Sequence, residues 1–363
     1  MFEITENAWH VVRGELALYR YAGPHTAPAH AQAPIVMLHG PMTSHRTWDV
    51  MAAYLWENGF GALYAIDIPD IQNGGSLRNA TKHLLKVMYF LLEEHRLTRD
   101  FVLIGHSTGG VLARRFLFKH PEIAPHIAYL FTLASPHTRT HFSYRVYVPP
   151  ETENTEKVGT GSSSVVTPDI PHNTFILNFF GNAVGPFFDG TVRGVFLPEA
   201  ANQMLLLQHA DFKQASIVLE EILACLYGKR YRMQIFLHSL YMKTPDQGEL
   251  VGPFYFEING IRTPFDGIFQ AVAEHEYLFD ESSTPLATLS YPPGNALVST
   301  VFRLKDQSKA RPVRRRLFAK LLVSLADDEN TLHEMQDNEG SKITVRIHTQ
   351  AMPCLVNDAP QTD

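Results

Sequence analysis

The chain reads as an α/β protein: a mostly parallel sheet flanked by helices, followed by an all-β, sandwich-like C-terminal domain. Three observations predict this. Up to about residue 230, short apolar runs alternate with stretches of helical periodicity, the pattern of buried strands under covering helices. From 231 on, strand-like runs separated by turn residues take over, with clear alternation in Ile343-Thr344-Val345-Arg346-Ile347. The 363 residues exceed what one hydrophobic core usually serves, so two domains are expected, 1–230 and 231–363.

The elements follow in order. Residues 15–21 alternate as an early hairpin strand, and 35–38 form a buried strand ending at His39-Gly40. Residues 47–58 suit a helix closed by Gly59, and 62–66 supply the next strand. Ser76 is an N-cap candidate for a helix running to 97, with apolar residues at Leu84, Leu85, Met88, Leu91 and Leu92. Then come a strand at 101–104, a helix at 111–118, strands at 127–134, 174–180 and 203–207, and a helix from about 211 to 226. Residues 139–172, rich in Pro, Gly, Ser, Thr and Glu, are longer than a compact domain tolerates without purpose. They read equally as a lid over a pocket or as a surface excursion. Further strands are expected at 231–242, 253–259, 297–304, 317–325 and 342–349, and no internal repeat is visible.

A formal net charge of −6 excludes the global basic field of a nucleic-acid binder. The local basic run Arg311, Arg314, Arg315 and Arg316 reads as a solvated turn, with a lipid-headgroup or partner role as the lesser alternative. Two cysteines make neither a disulfide framework nor a zinc site, and Cys225 in an apolar helical stretch reads as core. No metal-ligand cluster is evident, so neither metal nor cofactor is expected. No apolar run reaches 18 residues, and the first residues lack the charged-then-apolar order of a signal peptide. The expectation is a cytoplasmic protein, or one exported without an N-terminal signal. Oligomeric state is not legible.

The strongest chemical signal is Gly105-His106-Ser107-Thr108-Gly109, set between an apolar strand and a helix. A sharp strand-to-helix turn strains its middle residue and demands small neighbours. It lifts the Ser107 hydroxyl above the sheet and aims the Thr108 N–H at the place where an oxyanion would form. A serine hydroxyl needs an imidazole to take its proton, and the imidazole needs an acceptor to hold its tautomer. Both belong beyond later strands, acid first. Asp189 stands in a Gly-flanked loop after 174–180, and His209 follows 203–207. Asp169 lacks a strand before it, and Asp211 fits better as a first-turn acid. His39 and His106 read as loop-packing residues, His172 belongs to the insertion, and His238 and His275 to the second domain.

The first 230 residues resemble bacterial lipases and esterases of the α/β-hydrolase superfamily. The likeness is carried by PIVMLHG, LIGHSTGG, TLASPH at 132–137, FFDGTV and LLLQHADF, in that order. It implies Ser107 as nucleophile, His209 as general base then acid, and Asp189 as the orienting carboxylate. His137 in TLASPH is common in such lipases and is not needed for the triad. The second oxyanion donor in that family is typically the N–H of the residue after His-Gly. Here that residue is Pro41, which has none. Met42 is the favoured substitute, the alternatives being an incomplete hole or weak catalysis.

The expected activity is carboxylic-ester hydrolysis through an acyl-enzyme, on lipid-like acyl esters, with peripheral membrane contact as a weaker expectation. Apolar segments at 178–180 and 186–188, with Phe142 and Tyr144, suggest an acyl-chain pocket, against core packing as the alternative. The rivals are an acyltransferase or thioesterase with the same triad, and a non-catalytic lipid- or protein-binding module on the same scaffold. The C-terminal domain resembles, in outline, β domains appended to some lipases.

Overall fold

Apolar β-formers flanked by turn residues build the strands here, and helices with one apolar face cover them. In the computed structural model the described residues are 8–23, 33–94, 100–137, 146–147, 174–184, 188–195, 197, 199–241, 243, 250–251, 254–259, 261–263, 271–272, 276–279, 285–304, 315–325, 330–336 and 340–356. Most of the 139–172 insertion lies outside them, with Phe142, Tyr144, Asp169 and His172. Residues 186 and 187, His275, Arg311 and Arg314 also lie outside.

The chain divides into two compact units, Met1–Arg139 with Pro168–Arg230 and Met352–Asp363, and Thr140–Thr167 with Tyr231–Ala351. This differs from a contiguous split at 230/231. Met352 and Leu355 are buried in the first unit's core, and Leu355 N–H donates to Leu226 O at 2.8 Å.

In the first unit the strands are β1 (Trp9–Arg13), β2 (Leu18–Tyr21), β3 (Ile35–Leu38), β4 (Leu63–Ile66), β5 (Phe101–His106), β6 (Ile127–Leu133), β7 (Phe175–Gly181) and β8 (Ala201–Leu205). Their order across the sheet is β1-β2-β4-β3-β5-β6-β7-β8. The pairs from β4 to β8 are parallel, while β1 and β2 are antiparallel additions at one edge. Both faces are covered, and successive strand residues serve opposite cores. Ile35 and Met37 face one apolar cluster, Val36 and Leu38 the other.

The helices are α1 (Asp49–Glu57), α2 (Pro69–Gln72), α3 (Leu77–Glu94), α4 (Thr108–Lys119) and α5 (Ser216–Leu226). Leu84, Val87, Met88 and Leu91 of α3 recur at helical spacing and are buried with Leu112 and Phe116 of α4. Ser76 Oγ accepts the Arg78 N–H at 3.2 Å, the bond of an N-cap. Across the sheet, α1 and α5 bury Met51, Leu55, Val218 and Ile222.

The second unit is all β among its described residues. Tyr231–Tyr241 pairs antiparallel with Ala287–Tyr291, Glu276–Phe279 and Lys342–Ala351, and the last of these with Asn330–Gln336. A second sheet runs Ile261–Thr263, Phe254–Ile258, Gly294–Leu304, Arg315–Leu325. Arg315 and Arg316 therefore lie in a strand, paired with Arg303 and Phe302, and not in a turn.

Candidate active site

Ser107 follows β5, Asp189 lies in the connection after β7, and His209 lies just past β8. All three stand beyond the C-terminal ends of parallel strands, where open α/β sheets place their sites. At Ser107 the backbone takes φ 54°, ψ −127°, a strained combination for a residue with a Cβ. The motif glycines make it sterically feasible. A Cβ on Gly105 would lie 2.5 Å from the Gly110 backbone, and one on Gly109 would lie 2.2 Å from Leu38 O. Ser107 N–H donates to Leu133 O at 2.9 Å, tying the elbow to β6. Thr108 opens α4, so its N–H has no partner within the helix.

Asp189 is buried and both carboxylate oxygens are used. Oδ1 accepts the N–H groups of Thr191 and Val192 at 2.9 and 2.7 Å, and Oδ2 lies 2.8 Å from His209 Nδ1. The carboxylate only accepts, so His209 Nδ1 carries a proton, and in the neutral ring the lone pair falls to Nε2. Gly190 makes this turn with φ +96°, open to glycine at little cost. His209 N–H also donates to Asp189 O at 3.1 Å. Among the described residues no hydrogen bond joins Ser107 Oγ to the His209 ring. The link runs through His106, whose Nε2 lies 2.9 Å from His209 O and whose ring centroid is 4.7 Å from that of His209.

In the oxyanion loop the residue expected to donate is already engaged. The Met42 N–H donates to Gln72 O at 3.3 Å, with Met42 at φ 55°, so it is not free as a second donor. Pro41 offers none, and the next N–H, that of Met42, goes to Gln72 at the end of α2 instead. The loop is tied down elsewhere too. Ile68 N–H donates to His39 Nε2 at 3.0 Å, which leaves the proton on Nδ1 for Gly40 O at 2.7 Å. His45 Nδ1 meets Asp67 Oδ2 at 2.8 Å. Burial holds His39 below the usual imidazole range.

Several supporting residues were not singled out by sequence reasoning. Thr132 Oγ1 donates to Asn178 Oδ1 at 2.9 Å, and Asn178 Nδ2 donates to Asn202 Oδ1 at 2.9 Å and Val195 O at 2.8 Å. Asn202 Nδ2 in turn donates to Leu197 O and Ala200 O, so this buried network moors the chain between Asp189 and β8. Polar residues inside apolar strands, as in FILNFFG, were the available signal. Arg114 donates to Glu199 Oε1 from Nε and Nη2 at 2.8 and 2.5 Å. Phe179 and Phe180 are fully buried in β7 and belong to the core, not to a pocket wall. His137 is buried with both ring nitrogens unpartnered, and burial lowers its pKa to about 3. Among the described residues no group of three or more His, Cys, Asp or Glu is placed to hold a metal, and no helix is long and apolar enough to cross a membrane.

A parallel sheet covered on both faces, a strand–serine–helix elbow and an acid–histidine pair at the same edge make the first unit's fold that of an α/β hydrolase. Residues 29–157 match a family model described as a PGAP1-like alpha/beta domain. No curated protein matches the chain. Among solved structures it is similar to the mature form of lipase BlEst2 from Bacillus licheniformis, at 18% identity, covering 55% of this chain and 94% of that one, TM-score 0.41. The propeptide form of the same lipase is 12% identical, covering 89% of this chain and 98% of that one, TM-score 0.41. Naproxen esterase from Bacillus subtilis is 17% identical, covering 57% and 85%, TM-score 0.36.

Proposed function

We propose that the protein is a serine carboxylic-ester hydrolase acting on lipid-like acyl esters, with Ser107, His209 and Asp189 as its triad. The observation that carries the reading is a strained elbow at Ser107 on the same edge of the sheet as a histidine whose Nδ1 is held 2.8 Å from a buried carboxylate. Ser107 Oγ attacks the ester carbonyl while His209 Nε2 takes its proton. Thr108 N–H stabilises the oxyanion, His209 protonates the departing alcohol, and water then releases the acyl group by the same steps. Catalytic hydrogen bonds are often long before substrate binds, and closing of Ser107 onto His209 belongs to that stage. Met42 can join the oxyanion hole only by giving up Gln72, a bond already at the long end of the range.

An apolar substrate is supported by the loops themselves. Met42, Val184 and Leu206 stand on the oxyanion, acid and histidine loops and are 91%, 65% and 81% exposed. The test is a fluorophosphonate probe together with p-nitrophenyl esters from short to long chain, on the wild type and Ser107→Ala. Labelling at Ser107 and loss of turnover in the variant are expected, with longer chains preferred. Equal hydrolysis by both proteins overturns the reading. Product analysis with a competing alcohol separates hydrolysis from acyl transfer.

A further inference from the structure

We infer that His106 is a positioning residue for the general base: its Nε2–H holds the backbone carbonyl of His209 and so sets where that imidazole stands relative to Ser107. The inference rests on the hydrolase reading above.

His106 closes β5, a strand paired on both sides, and directly precedes Ser107. Its position is therefore as fixed as that of the nucleophile. Its Nε2 lies 2.9 Å from His209 O. A carbonyl oxygen can only accept, so Nε2 carries the ring proton and Nδ1 bears the lone pair. That Nδ1 is buried and has no hydrogen-bond partner. Orphaning a buried polar atom costs about 1–3 kcal/mol. A ring kept only to fill space would be better made of carbon, so the donor at the other nitrogen is what the site retains.

Three contacts define His209. Its N–H and its Nδ1 both go to Asp189, which belongs to a separate loop. The third, its C=O, goes to His106 and ties the base to the elbow. Without it, His209 and Asp189 could drift together while their own hydrogen bond stayed intact. The ring must also remain neutral to do this without setting a second cation beside the imidazolium that forms in the reaction. Burial does so, lowering His106 to about 3; the charges of Lys213 and His209 add to the lowering, while the bond to His209 O and the charge of Asp189 oppose it.

The test compares His106→Gln, which keeps an N–H at similar reach, with His106→Leu, which keeps bulk and loses the donor. Turnover of a p-nitrophenyl ester, thermal unfolding and the downfield proton resonance of the His209 Nδ1–H are measured. His106→Leu should lose about 10- to 100-fold in kcat with KM within about twofold, as misplacement by a fraction of an ångström to one ångström implies. Its downfield resonance should shift or broaden, and His106→Gln should recover most of the rate. Wild-type kcat and an unmoved resonance in His106→Leu overturn the inference. If His106→Leu does not fold, His106→Phe serves the same comparison. Failure of the hydrolase reading shows separately, as Ser107→Ala equalling the wild type, and the resonance then still decides the positioning claim.

Discussion

Gly181 ends β7 where Asp189 crosses over it, and the substitution Gly181→Ala tests the acid's placement. An added Cβ would stand 2.3 Å from Asp189 Cβ, 2.8 Å from Leu207 O and 3.1 Å from Asp189 Cα, where ordinary contact begins at 3.4 Å. Asp189 must therefore retreat by about 1.1 Å. Backbone atoms lie on two of the three contacts, so no flexible side-chain end can absorb the clash. The 2.8 Å bond to His209 either breaks or carries His209 with it, since His209 N–H also binds Asp189 O. In the first case the imidazole loses the acceptor that orients it, and in the second it leaves its place relative to Ser107. A misplacement of about 1 Å costs about 100-fold in rate. Overpacking adds about 1–3 kcal/mol of strain, or about 2–12 °C in Tm for a unit of this size. Gly14→Ala is the control, because no atom lies within 4 Å of its added Cβ. Steady-state kinetics and a thermal melt on both variants decide the matter. A kcat for Gly181→Ala within about threefold of the wild type would refute the placement of Asp189 at the reacting centre.

Two more predictions concern stability. Arg114→Met strands the carboxylate of Glu199, whose side chain is 4% exposed, and should cost about 3 kcal/mol. Adding Glu199→Leu should restore most of it, and a melt of the single variant within about 1 °C of the wild type would contradict this. His106 and His137, both held at about 3 when folded against an ordinary imidazole value of 6.5, bind their protons only after unfolding. His39, also lowered by burial, behaves in the same direction. The unfolded chain thus takes up protons first as pH falls, so stability should decline from about pH 6.5 toward 3, by up to about 1.4 kcal/mol per pH unit for each histidine. Urea midpoints between pH 7.5 and 4.5 measure it, and a flat profile would be the contrary result. His137→Leu should give a shallower decline and, having removed two unpartnered ring nitrogens, no loss at neutral pH.

Much of the first unit was legible because its signals are local. Unbroken apolar runs became strands, and the apolar spacing of α3 became its buried face. Boundaries moved where a neighbour intervened. The helix expected at 111–118 begins at Thr108, because the elbow starts it as soon as Ser107 has turned the chain. The strand expected at 15–21 is interrupted by a one-turn helix at Gly14–Leu16, between β1 and β2. The strands Glu276–Phe279, Ala287–Tyr291 and Asn330–Gln336 were missed. Asn330–Gln336 buries only Met335 fully and owes its form to its pairing with Lys342–Ala351.

By itself the sequence determined the α/β order, the all-β character of the described residues from 231 to 351, and the elbow, since each depends on residues within a few positions of one another. It also set the order Ser107, Asp189, His209 along the chain. The tertiary structure alone decided that Met42 spends its N–H on Gln72, that residues 352–356 return to the first unit, and that His106 holds the backbone of His209. Those contacts join residues from 30 to more than 100 positions apart. Nothing in a local pattern records such a separation, because the partner is chosen by how the strands and helices pack and not by the residues on either side.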